Sequence, residues 1–253
     1  MKPASPADKL PALTFAFWVM KICATTLGET AGDLLSMTLD VGYALSTLIL
    51  LACFAATLAA QLRARSYHPF LYWSVILTTS TAGTTMSDFM DRTLGLGYAL
   101  GSAILVGVLV SILGVWKLSE GSLSVTSLRS RRAEIFYWAA ILASNTLGTA
   151  LGDYLADDSG LGFAGGAALI AGLLALVVLA YLFTRLSRVA LFWCAFVLTR
   201  PFGATMGDVL TKNPEHGGLG FGTVGSSAVL LALLVGVILL TMRRAVRASA
   251  GAD

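Results

Sequence analysis

Four times along this chain, an aromatic residue and a tryptophan are followed ten residues later by a glycine. Four residues further on comes a small residue, and an aspartate directly follows it. The aromatic pairs are Phe17-Trp18, Tyr72-Trp73, Tyr137-Trp138 and Phe192-Trp193, and the glycines are Gly28, Gly83, Gly148 and Gly203. The small residues are Gly32, Ser87, Gly152 and Gly207, and the aspartates are Asp33, Asp88, Asp153 and Asp208. A second anchor, glycine then aromatic, stands at Gly42-Tyr43, Gly97-Tyr98, Gly162-Phe163 and Gly220-Phe221. It lies nine residues past the aspartate in the first three copies and twelve past it in the fourth. Four copies in one register, with one short insertion, require a fold made by packing like units on like.

The medium of that fold follows from the segments between the anchors. Ala99–Trp116, Gly165–Phe183 and Val224–Met242 are apolar runs close to the roughly 20 residues that cross about 30 Å of hydrocarbon. Only 12% of the 253 residues are charged, about half the share in soluble domains, and mean hydropathy is +0.81. Barrel-type strands of alternating hydropathy are absent. The chain therefore reads as an all-α polytopic membrane protein. Each copy holds two spans, the first near 13–36, 69–91, 134–156 and 189–211, the second near 42–62, 96–117, 162–184 and 219–242. This makes eight helices in four hairpins within one membrane domain, with repeats at 13–62, 69–117, 134–184 and 189–242. The hydrophilic stretch 118–133 is a cytoplasmic linker between two four-span halves. Lys2 and Lys9 before the run Leu13–Met20 resemble a signal peptide, but Trp18 belongs to the repeat, so the segment is expected to be retained.

Charge sets the orientation. Thirteen of the 17 Lys and Arg, including Arg63, Arg65, Arg131, Arg132 and Arg243, fall in the termini or between repeats. Ten of the 14 carboxylates lie at the opposite ends of the spans. By the positive-inside rule both termini are cytoplasmic and the aspartate face is external. Two spans per copy make the copies parallel, related by an axis along the membrane normal rather than inverted.

From Pro69 to Asp88 is 19 residues, about 29 Å of helix, which places the aspartates at the hydrocarbon boundary, where a carboxylate costs little. Gly-x-x-x-small is a helix-packing pattern, since small residues let backbones approach closely in lipid. A ring of aspartates at one depth is more than a solvated boundary requires. At offsets 8, 11 and 12 from each Trp stand Thr26, Thr81, Thr146 or Pro201, then Glu29, Thr84, Thr149 or Ala204, then Thr30, Thr85, Ala150 or Thr205. With the aspartate at 15 they trace one helical face, so the first spans should line the interior and the second spans face lipid. Such hydroxyls can also bond their own helix backbone. Asn145 joins Thr26, Thr81, Thr84, Thr146, Thr149, Glu29 and the aspartates as candidate transport or ion-binding residues.

Two copies add charge within the span. Lys21 is close enough to one end to snorkel. Glu29 and Arg200, one turn apart in offset, are a candidate ion pair or gate, with Pro201 expected to bend its helix. Cys23, Cys53 and Cys194 read as small buried hydrophobes. His68 and His216 form no metal cluster, no enzyme signature appears, and the chain is not expected to be an enzyme or to bind nucleic acid or a cofactor.

The Gly-x-x-x-small-Asp block and the Gly-aromatic anchor, over residues 13–242, resemble a family of bacterial inner-membrane proteins built from a four-copy repeat of unknown function. The resemblance implies that location and the eight-span architecture, and it brings no activity. Function must come from the residues. Oxygen-only ligands point to transport of a hard cation such as Mg²⁺ or Mn²⁺, bound by Asp33, Asp88, Asp153 and Asp208. A proton-coupled carrier of a small solute, using Glu29, Arg200 and one aspartate, is the second reading. A scaffold that assembles through its small-residue seams, with partners or as a homo-oligomer, is the third.

Overall fold

The computed structural model describes residues 10–125 and 130–250. Among them are eight α-helices and no strand: α1 (Phe15–Asp33), α2 (Tyr43–Arg63), α3 (Pro69–Asp88), α4 (Tyr98–Glu120), α5 (Arg131–Asp153), α6 (Gly162–Phe183), α7 (Arg188–Thr211) and α8 (Thr223–Ala250).

The odd and even helices begin differently. Side chains cap the odd ones: Thr14 accepts from the Phe17 amide, His68 from Leu71, Ser130 from Ala133 and Ser187 from Ala190, satisfying amides that lack a partner in the first turn. The even helices follow the Gly-aromatic anchor, whose glycines Gly42, Gly97, Gly162 and Gly220 all have positive φ, from 66° to 79°. That backbone region strongly favours glycine, which is why the anchor recurs. Past the aspartate, the first three copies widen into a five-residue π-helical turn, at Leu34–Thr38, Phe89–Thr93 and Tyr154–Asp158. In the fourth, α7 runs on to Thr211 through Pro201 without a break, and a short 3-10 turn at Pro214–His216 takes up the insertion.

The odd helices form a closed ring: α1 packs on α3, α3 on α5, α5 on α7, and α7 back on α1. Each even helix packs chiefly on the odd helix of the next copy, α2 on α3, α4 on α5, α6 on α7 and α8 on α1. The expected hairpins are therefore interleaved rather than self-contained, because the ring leaves the next odd helix, not the preceding one, as the apolar face each even helix covers. Six of the eight, all but α1 and α3, are long and apolar enough to cross a membrane, against the eight such spans expected. The hydroxyls and charges that α1 and α3 carry for the interior dilute their hydropathy. The chain is thus a multi-pass membrane protein.

Two further expectations change. Helices α4 and α5 extend into the 118–133 segment, leaving 121–130 as the connection, of which 126–129, with Arg129, lie outside the described residues, as do Lys2 and Lys9. Cys53 and Cys194 are exposed and Cys23 partly so, since these helices turn apolar faces outward.

Candidate functional site

At one end of the ring the aromatic pairs close a cycle. Phe17 packs on Trp73, Tyr72 on Trp138, Tyr137 on Trp193 and Phe192 on Trp18, with centroids 5.6–6.4 Å apart. The Tyr72 and Tyr137 hydroxyls share a 2.8 Å hydrogen bond. The next layer toward the aspartates holds Lys21, Ile76, Ile141 and Phe196, all buried. Lys21 does not snorkel: its ammonium is fully buried over the Phe196 ring, 4.0 Å from the centroid, and has no hydrogen-bond partner among the described residues. Helix α1 faces it into the ring, away from the bundle's end.

One turn further stand Thr25, Ser80, Asn145 and Arg200, at offset 7 from each Trp and all fully buried. The motif glycines make this layer fit. A Cβ on Gly28 would overlap Ser80, on Gly83 Asn145, on Gly148 Arg200 and on Gly203 Thr25. Each glycine thus seats the offset-7 residue of the next helix round the ring. Gly32, Gly152 and Gly207 likewise seat Thr84, Ala204 and Glu29, each with a would-be Cβ contact of 2.9 Å. The Ser87 hydroxyl instead donates to Asp91 at 3.2 Å.

Arg200 lies across the ring. Its Nη1 donates to Glu29 Oε2 at 3.0 Å and to the Thr25 carbonyl at 3.4 Å. Its Nη2 donates to the Ser80 carbonyl at 3.3 Å, to Thr149 Oγ1 at 2.7 Å and to Thr84 Oγ1. The hydroxyls of Thr84 and Thr149 each donate to Glu29 Oε2 at 3.2 Å. Asn145 Nδ2 donates to Thr79 and Ser80. All four odd helices are tied here through one carboxylate and one guanidinium.

The hydroxyl stripe divides. Thr84 and Thr149 reach the central network, whereas Thr26, Thr81 and Thr146 donate to carbonyls of their own helices, at 3.0–3.2 Å. Offsets 7, 11 and 15 converge on the interior, and offset 8 falls at the seams. This corrects the placing of Thr26, Thr81 and Thr146 on the axis. The offset-7 layer was open to inspection in the sequence, since like the aspartate position it is polar in all four copies.

The four aspartates are buried at the far end of the ring, and two cations join them. Arg92 reaches Asp88 Oδ1 at 3.0 Å and Asp153 Oδ2 at 3.3 Å. Lys212 reaches Asp208 Oδ1 at 3.2 Å and Asp33 Oδ2 at 3.1 Å. Both stand four residues past an aspartate, a second signal missed in the sequence. Burial opposes the Lys212 ammonium, but Asp208 and Asp33 outweigh it and hold its pKa above the ordinary value. Oxygens of Glu29, Asp33 and Asp208 lie within 4.8 Å of one another, joining this end to the Arg200 network. A recess of about 560 Å³ opens beside Asp153 and Asp208, lined also by Arg92, Lys212, Asp157, Phe163, Thr211 and Asn213.

No curated protein and no solved structure matches the chain. A family model does, four times, over residues 16–67, 71–122, 136–187 and 191–246, each match spanning one copy of the Trp–Gly–Asp register and its second helix. The chain accordingly belongs to the family described as Repeat of Unknown Function (DUF347).

Proposed function

We propose that this protein carries a small cation across a membrane through the ring of odd helices, with Asp33, Asp88, Asp153 and Asp208 as the site of capture. All eight helices cross the bilayer in this reading. The four copies stand about an axis along the membrane normal, with the aspartates external and both termini cytoplasmic in a bacterial inner membrane, as the distribution of Lys and Arg favours. The observation that carries it is the convergence of four equivalent carboxylates, one per copy, directly beyond a buried Glu29–Arg200 pair. Buried intramembrane charges are costly and mark ion pathways. An all-oxygen donor set suits hard metal ions and hydrogen-bonding ammonium groups over soft metals.

Arg200 argues for a gated carrier over an open pore. Its guanidinium binds groups from α1, α3 and α5 at once, so passage requires that the network open. The contact of Arg200 with the Glu29 carboxylate is what gives the proton-coupled carrier of a small solute a specific footing as the second reading.

The test is flux in proteoliposomes, with indicators for K⁺, Mg²⁺, Mn²⁺, Ca²⁺ and pH, for the wild type and for the variant with all four aspartates changed to Asn. Selective flux that the folded variant loses supports the proposal. A folded wild type that moves neither these ions nor a small organic ammonium ion, or a variant that moves them equally well, overturns it.

A further inference from the structure

Reading round the aspartate end, the residues four past Asp33, Asp88, Asp153 and Asp208 are Met37, Arg92, Asp157 and Lys212. The second and fourth copies fill the slot between their own aspartate and the next with a cation from within. At the same position the third copy has Asp157, whose Oδ2 accepts from the Tyr98 hydroxyl at 3.3 Å, so the third copy supplies no cation of its own between Asp153 and Asp208, and Arg92 and Lys212 stand only at the edges of the recess there. Asp153 spends only Oδ2 on Arg92, and Asp208 only Oδ1 on Lys212. The second oxygen of each makes no hydrogen bond among the described residues, though the two side chains belong to residues only 4% and 3% exposed. The 560 Å³ recess lies at this slot, with Asp153, Asp157 and Asp208 in its wall.

We propose that this slot binds the primary ammonium group of a small organic amine, whose body occupies the recess. The protein supplies its own analogue: the Lys212 ammonium sits on the equivalent pair, Asp208 and Asp33, at 3.2 and 3.1 Å. Those are N–H···O lengths, longer than the roughly 2.0–2.6 Å of hard-metal coordination. An ammonium head presents three donors, and the recess that would receive it is lined by the three carboxylates Asp153, Asp157 and Asp208. The volume falls in the range of small-molecule sites, and a bare ion would leave most of it unfilled. Phe163 offers the body an apolar face, and Thr211 and Asn213 offer polar ones. The inference names the substrate class for the transport reading and depends on that reading for any movement of the amine once bound.

The experiment is calorimetric titration of the purified full chain with n-propylammonium, alongside tetramethylammonium and Mg²⁺ at matched ionic strength. Saturable binding of propylammonium is expected, with tetramethylammonium, which lacks N–H donors, and Mg²⁺ at least tenfold weaker. Asp153→Asn and Asp208→Asn should each weaken it tenfold or more. Asp157→Ala, at an exposed residue that leaves folding intact, should weaken it severalfold, and Met37→Leu, at the equivalent place in the first copy, should leave it unchanged. Equal binding of tetramethylammonium or Mg²⁺, no binding of propylammonium, or an Asp157→Ala protein that binds like the wild type overturns the proposal. Amine binding without flux of any cation refutes the transport reading and leaves the site standing. Metal flux without amine binding refutes the site alone.

Discussion

The Arg200 layer and the aspartate end hold the same kinds of group, carboxylates against cations, in opposite states of completion. At the Arg200 layer one guanidinium and one carboxylate oxygen are surrounded by hydroxyls and carbonyls from four helices, and the glycine seams hold them in register. At the aspartate end each carboxylate has one partnered oxygen, and two of the four slots between neighbours lack a cation. The Arg200 network, whose buried atoms Arg200 Nε and Asn145 Oδ1 alone have no partner among the described residues, acts as a lock. The aspartate end, with a recess beside it, is where the proposed capture site lies.

The lock should therefore fail hardest. Arg200→Met strands Glu29 without its buried partner and should cost about 3–5 kcal/mol, read as a lowered midpoint in denaturant titration of the detergent-solubilised protein. Adding Glu29→Leu to it should restore much of that loss. A double variant no more stable than the single would show that packing, not charge, holds the layer. Next come the seams. Gly203→Val, aimed at Thr25, should cost about 1–3 kcal/mol through overpacking. Gly107→Ala, where nothing lies within 4 Å of the added carbon, should be nearly neutral by the same assay.

The rim should respond in function rather than in stability. Asp153→Asn is expected to change stability by under about 1 kcal/mol, because its partner Arg92 is about a third exposed and keeps Asp88, while abolishing cation uptake in proteoliposomes. A large stability loss would move the rim into the lock. Lys212→Met gives an effect of similar size, about 1 kcal/mol or less after solvent screening. The sign comes from a folded pKa raised above the ordinary 10.5: the stabilisation is complete below 10.5 and fades only as pH climbs through the higher folded value. Thermal midpoints of wild type and variant should differ equally at pH 7 and pH 9 and converge only in strong alkali.

Much of this molecule is legible in the sequence. The anchors place the helices to within a few residues, apart from the far end of α8, which runs on to Ala250, since span length is set by the bilayer and helix starts by caps and glycines. The closeness in offset of Glu29 and Arg200 is visible too. The stripe comes out one position off: offsets 8 and 12 suit a helix face in isolation, but in a closed ring the interior receives 7, 11 and 15, because neighbours on both sides take the flanks. Lys21 is misplaced for the same reason. Distance from a helix end suggests snorkelling, yet ring geometry points the side chain inward.

By itself the sequence determined what each copy is: a capped polar helix ending in an aspartate, a positive-φ glycine, and an apolar second helix. These are local consequences of backbone sterics, capping and hydropathy. Only the tertiary structure decided how the copies meet. It set each second helix on the following copy, chose which helical face looks inward, and gave Arg92 and Lys212 two of the four slots between aspartates. Those outcomes depend on contacts between residues some 50 to 180 positions apart, which no local rule encodes.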